Sequence, residues 1–179
     1  MRDREVPGGR TEPRPMRTLV CRPAATPDEL RRHYAIREES FVRRQGLFAG
    51  SDVDVYDHDP RTLHIVAVCE PSGDVVGVVR CYMREDGTWF GGRLVVAQEY
   101  RLSKLKVAPA LVRAAEAAVQ ERGARTFLAF IQCRYVRLFE HIGWVAIGES
   151  VEYAGAPHQL MRPSWSQHPT DEEAARDHD

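Results

Sequence analysis

Trp89-Phe90-Gly91-Gly92-Arg93-Leu94-Val95-Val96-Ala97, a basic stretch over residues 100–106, and the Ala-rich segment 108–122 together decide the fold. The first run is apolar and valine-rich, which suits a strand. The last places Leu111, Ala115, Ala118 and Val119 on one side of a helix. Pro109 fits the first turn of that helix, and Gly123 fits its C-terminal stop. Residues 126–131 follow as a short buried strand. A strand, a helix and a further strand in succession imply a right-handed crossover and a locally parallel pair within a sheet.

Upstream, residues 62–69 and 75–82 form two apolar runs separated by Pro71-Ser72-Gly73-Asp74. That is a hairpin signature, and Asp86-Gly87 marks a second turn, so three antiparallel strands follow one another. Before them, Thr26-Pro27-Asp28-Glu29 announces a helix: Thr26 caps it, Pro27 takes the first position and Glu29 completes a capping box. Leu30, Tyr34 and Phe41 carry this helix to about residue 44, and residues 17–22 precede it as a short strand. Downstream, Tyr135, Leu138, Phe139 and Ile142 stand at the spacing of an amphipathic helix that ends at Gly143. Residues 144–147 and 149–153 close the fold as strands, with 159–162 extending the last. The order β-α-βββ-α-β-α-ββ describes an α/β (α+β) domain with a mixed, mostly antiparallel central sheet flanked by helices.

Length and composition fit one domain. The chain has 179 residues, 43% of them hydrophobic and 28% charged, which argues against wholesale disorder. Twenty-five Lys and Arg against 26 Asp and Glu give a formal charge of -1, so nothing advertises a nucleic-acid partner. Cys21, Cys69, Cys81 and Cys133 show no metal-binding spacing, and we read them as reduced thiols of a cytoplasmic protein with no metal. Residues 1–17 lack the apolar core of a secretory signal, and no stretch reaches the length of a membrane span. Residues 1–16 and 164–179 are expected to be disordered flanks of a domain over 17–163.

The element order, with its basic turn before an Ala-rich helix, resembles the GNAT N-acyltransferase superfamily over most of residues 17–162. In that family the equivalent strand splays, and a loop reading Gln/Arg-x-x-Gly-x-Gly/Ala presents backbone amides to the pyrophosphate of coenzyme A. Two alignments are open here. In one, Arg101 takes the first position and Lys104 and Lys106 occupy the glycine positions. In the other, Val107 and Ala108 replace the final pair, which keeps Ala108 and Pro109 at the helix start. Lys104 and Lys106 then either face phosphate or are plain loop residues. The resemblance also implies that backbone around Leu94, Val95 and Val96 meets the thioester carbonyl. Gln132 falls on the family's Asn position, and Phe139 falls where the family carries a tyrosine proposed to protonate the departing thiolate. Phenylalanine has no proton to give. Tyr135, one turn earlier, is a stand-in or a core residue.

Residues 36–46 and the acidic loop with Asp52, Asp54 and Asp57 look like a branch found in bacterial nitrogen-starvation gene clusters. Acyl-homoserine-lactone synthases share a distant version, including an arginine here at Arg80. The implied activity is transfer of an acetyl or short acyl group from acetyl-CoA, as co-substrate, to a small-molecule amine. A non-catalytic acyl-CoA-binding module and a lactone-synthase-like enzyme are the alternatives. Base candidates are Glu39 on the first helix, Asp54 in the acidic loop, and His64 and His158 in or beside strands, since imidazole suits proton transfer near neutrality. Phe41, Asp57 and Arg80 are candidate substrate contacts, Arg80 because a buried guanidinium needs an anionic partner. The C-terminal strands offer a surface for pairing two copies.

Overall fold

A computed structural model describes residues 17–153 and 155–167. The expected flank 1–16, and residues 168–179 of the expected flank 164–179, lie outside the described residues. One seven-stranded sheet runs through the domain in the order β1-β2-β3-β4-β5-β7-β6. The strands are β1 Thr18–Pro23, β2 Leu63–Glu70, β3 Asp74–Met83, β4 Trp89–Val96, β5 Phe127–Gln132, β6 Trp144–Tyr153 and β7 Ala156–Pro163. β1 to β4 pair antiparallel in sequence order, and β4 pairs parallel with β5. The helices are α1 Pro27–Arg37, α2 Val107–Gln120 and α3 Val136–His141. This is the mixed, mostly antiparallel α/β architecture expected from the element order.

Helix α1 starts as its sequence dictates: Thr26 accepts the Glu29 amide at 3.1 Å. The Glu29 carboxylate reaches back one residue further than a simple capping box, to the Ala25 amide at 2.7 Å, and also pairs with Arg22. Where one continuous helix to residue 44 was expected, the chain changes to a π-helix over Glu38–Arg44. The Gln45 amide closes it on the Ser40 carbonyl, and the wider turn keeps Ser40 and Phe41 buried alongside Ile36 and Arg37. This face packs on Val66, Val68, Val78 and Val95.

Helix α2 covers the opposite face through Val107, Leu111, Val112, Ala115, Ala118 and Val119. It lies against the sheet because Gly77 has no side chain. A Cβ there would stand 2.8 Å from Val107 Cγ1 and 3.0 Å from Leu111 Cδ1.

The C-terminal region corrects two expectations. Residues 144–153 form one strand, and 156–163 turn back as a separate strand inserted between it and β5. Gly148, at φ 61°, bulges β6, and the Gln159 amide bridges the bulge to the carbonyls of Ile147 and Gly148. The folded domain also passes residue 163. Trp165 stacks on Phe127 with centroids 6.3 Å apart and donates to Glu116, while buried Ser166 accepts the Phe127 amide. Reading residues 164–167 as tail missed this anchoring, because an isolated Trp-Ser pair carries no periodicity.

Candidate active site

Strands β4 and β5 are hydrogen-bonded only from Trp89–Phe127 to Gly91–Ala129. Gly91 permits this close approach, since a Cβ there would meet Phe127 Cζ at 3.0 Å. Beyond it, β4 changes register. Val78 faces Val95 and Arg80 faces Gly92, so Arg93 and Leu94 together oppose Val79. Arg93 makes this bulge with a left-handed φ of 57°. Its side chain holds it there: Nε stands 3.2 Å from the Asp52 carboxylate, NH2 donates to the Asp52 carbonyl at 3.1 Å, and the guanidinium lies over Phe48. The two strands diverge past the bulge, opening the sheet between them.

A cavity of about 620 Å³ occupies this opening and reaches both faces of the sheet. Ala108, Val112 and Ala115 of α2 wall it on one side, and Phe41, Arg80 and Tyr82 on the other. Leu94, Val95 and Val96 line it along β4, and Gln132 lines it along β5. Helix α2 begins at its edge. The N-cap residue Lys106 is left-handed, with φ 49°, no side chain caps the helix and no acid stands in its first turn. The first amides and the positive end of the helix dipole are therefore available to an anion. Arg101 lines the cavity at the same end, with its Nε on the Val96 carbonyl at 3.1 Å. Lys104 and Lys106 are exposed and do not line the cavity; Val107 turns its side chain into the core.

The acidic loop makes a buried ionic cluster. Arg37 donates to Asp52 at 2.7 Å and to both oxygens of Asp57, at 2.6 and 3.0 Å. Arg80 grips Asp57 at 2.6 Å and Asp54 at 2.7 and 2.9 Å. With Arg93, three arginines balance three aspartates. Burial pushes the Asp57 carboxyl up, but the Arg37 hydrogen bond, the Asp54 amide and the two cations outweigh it and hold the group well below the usual carboxylate range. Asp57 and Arg80 are thus engaged by the protein itself, and Asp57 does not reach the cavity. Asp54 does, with 35% of its side chain exposed.

The other base candidates separate by position. Glu39 is on the outer surface, 4.0 Å from Arg43, away from this cavity. His64 stands beside the cluster, 3.4 Å from the Tyr34 hydroxyl, and burial is the main cause of its lowered pKa. It does not line the cavity either. His158 does. It is buried on β7, its Nδ1 is 2.7 Å from the Ala156 carbonyl, and it packs edge-on against Tyr153. A carbonyl only accepts, so Nδ1 carries the hydrogen and Nε2 of the neutral ring has the lone pair.

Tyr135 is no core residue. It is 46% exposed at the cavity rim because the chain there is a 3-10 turn, Cys133–Tyr135, before α3 begins. Phe139 faces inward instead, its ring 5.2 Å from Trp144. The structural parts of Arg37 and Arg93 come from contacts with Asp52, 15 and 41 residues away in sequence, which no local pattern carries. Two adjacent glycines in mid-strand before Arg93 were the readable sign of a bulge.

The sequence model described as the Acetyltransferase (GNAT) family matches residues 27–144. An acyl-CoA N-acyltransferase from Pseudomonas aeruginosa has the same fold, with TM-score 0.69 and 24% identity over 83% of this chain and 100% of that one. Escherichia coli ElaA gives 0.68 at 19% identity over 83% and 100%. A CoA-dependent acyl-homoserine lactone synthase, BjaI, gives 0.65 at 18% identity over 88% and 98%. No curated protein matches by sequence.

Proposed function

The chain belongs to the acetyltransferase (GNAT) family, and on that footing we propose that it moves an acetyl or short acyl group from acyl-CoA to the amine of a small-molecule acceptor. Within the family we place it nearest the bacterial nitrogen-starvation branch, acting in the cytoplasm. One observation carries the reading: an uncapped helix start opens onto the gap between β4 and β5, beside a bulged strand. The residues fit the donor. The amides at Val107 and Ala108 and the Arg101 guanidinium suit its phosphates, and the gap is apolar along Leu94, Val96 and Ile131. The donor supplies a thioester carbon as electrophile.

The chain's own groups account for the remaining chemistry. The bulge at Arg93 and Leu94 takes backbone out of ladder pairing, freeing an amide to donate to the thioester oxygen. The amine must be neutral to attack, and Nε2 of His158 accepts the proton it loses. A C–N bond forms as the C–S bond breaks, and the thiolate leaves. Phe139 has no hydroxyl to protonate it, so Tyr135 or water at the rim delivers that proton.

Thiol release from acetyl-CoA across a panel of amines tests the proposal, alongside calorimetry with CoA. Binding together with amine-dependent thiol release supports it. A second reading rests on Phe139: the site binds acyl-CoA without turnover. Heat of CoA binding with no thiol release on any amine would favour that module. Absence of both would remove the two readings together.

A further inference from the structure

Helix α1 and its π-helical extension cover the sheet face only as far as β4. The next cluster on that face, Phe90, Leu128 and Ile147 with Tyr82, Phe130 and Leu160, contains strand residues only. Its aromatic members continue into a row that crosses the sheet. Tyr56 stacks on Tyr82 at 4.1 Å, Tyr82 on Phe90 at 5.9 Å, Phe90 on Phe130 at 6.3 Å and Phe130 on Tyr153 at 5.8 Å. Successive planes tilt by only 17–29°, so the rings stack face on face in one aligned row. His158 ends the row, edge-on to Tyr153 at 5.3 Å.

All six side chains line the cavity described above. Phe90 is buried with the Arg84 guanidinium over its ring at 3.9 Å, whereas Tyr82 and Phe130 are half-buried and Tyr153 is 46% exposed, so the row keeps apolar area facing the opening at those three rings. The donor-binding end, at Ala108 and α2, lies on the other face of the sheet. A group lying along the rings therefore comes from the acceptor side, with its amine toward His158. Aligned rings add geometric preference to apolar burial, because ring pairs favour offset or edge contacts with other rings.

Resting on the transferase reading, we propose that the acceptor is a primary amine bearing an aromatic ring, which packs against the Phe130–Tyr153 end of the row. An aromatic amine then binds more tightly than an aliphatic amine of the same charge, and the difference resides in the row. Calorimetry on the full chain saturated with CoA tests this, with phenethylamine and n-butylamine as probes. Phenethylamine is expected to bind about tenfold more tightly. Phe130→Leu, which keeps most of the apolar volume, and Tyr153→Leu at the exposed end are each expected to remove most of that preference. CoA affinity stays unchanged in both and reports that they remain folded.

Equal affinity of the two amines for the wild-type chain overturns the proposal, as does a preference that survives both substitutions. So does an aromatic preference confined to the donor, seen as phenylacetyl-CoA binding more tightly than acetyl-CoA through Phe130. Aromatic-amine binding that depends on Phe130 without thiol release upholds the subsite and refutes the transferase reading instead.

Discussion

Arg37 holds Asp57 in a two-point fork, NH1 to Oδ1 at 2.6 Å and NH2 to Oδ2 at 3.0 Å, with both side chains closed to solvent. Arg80 takes the same carboxylate from β3, so the acidic loop is locked to both α1 and the sheet. Removing one partner leaves buried charge uncompensated. Arg37→Met is predicted to cost about 3–5 kcal/mol in urea unfolding. A loss below about 1 kcal/mol would show that the cluster contributes little.

Burial, and after it His64 and the Arg37 cation, push the His33 imidazole down to about 3. Its ring donates to the Val79 carbonyl at 3.3 Å. The unfolded chain, with a histidine pKa near 6.5, therefore takes up this proton first as pH falls. Stability is complete above about pH 6.5 and declines below it by up to about 1.4 kcal/mol per pH unit for this group. His64 shifts in the same direction. Asp57 joins only at lower pH, because a depressed carboxylate loses its contribution below the unfolded carboxylate pKa. Urea midpoints should drop between about pH 7 and pH 5, and His33→Asn should flatten the slope. Identical midpoints in the wild-type chain at the two pH values contradict this.

Gly77→Ala presses a methyl group against Val107 and Leu111, with the Val95 carbonyl 3.1 Å away. The predicted cost is about 1–3 kcal/mol. Because Val107 is the first residue of α2, the displacement is also predicted to weaken CoA binding by about tenfold, read by calorimetry. Gly92→Ala is the control for stability, since nothing lies within 4 Å of its added carbon. Unchanged CoA affinity in a folded Gly77→Ala protein would separate helix seating from donor binding.

His158→Gln is predicted to lower kcat by about a hundredfold or more while CoA affinity holds, as expected for loss of a general base. Tyr135→Phe should lower it less, because water reaches the exposed rim. Full activity in the His158 variant would move the base to Asp54, the other candidate open to the cavity.

The amino-acid pattern alone determined the element order through α3 and the parallel crossover into β5. It also located the start of α2 to within a residue. These follow from local rules: Thr26 and Pro27 announce α1, Pro109 and the alanines make α2, and Gly73 and Gly87 turn the hairpins at positive φ. Tertiary structure alone decided which charged and aromatic groups meet. Arg37, Asp57 and Arg80 are 20 and 23 residues apart in sequence yet share one carboxylate, and periodicity carries no information about such pairing. The same holds for β7. Its insertion beside β5 puts His158 opposite Gln132 and beside Tyr153, and that comes from strand pairing across the sheet, which no single segment encodes.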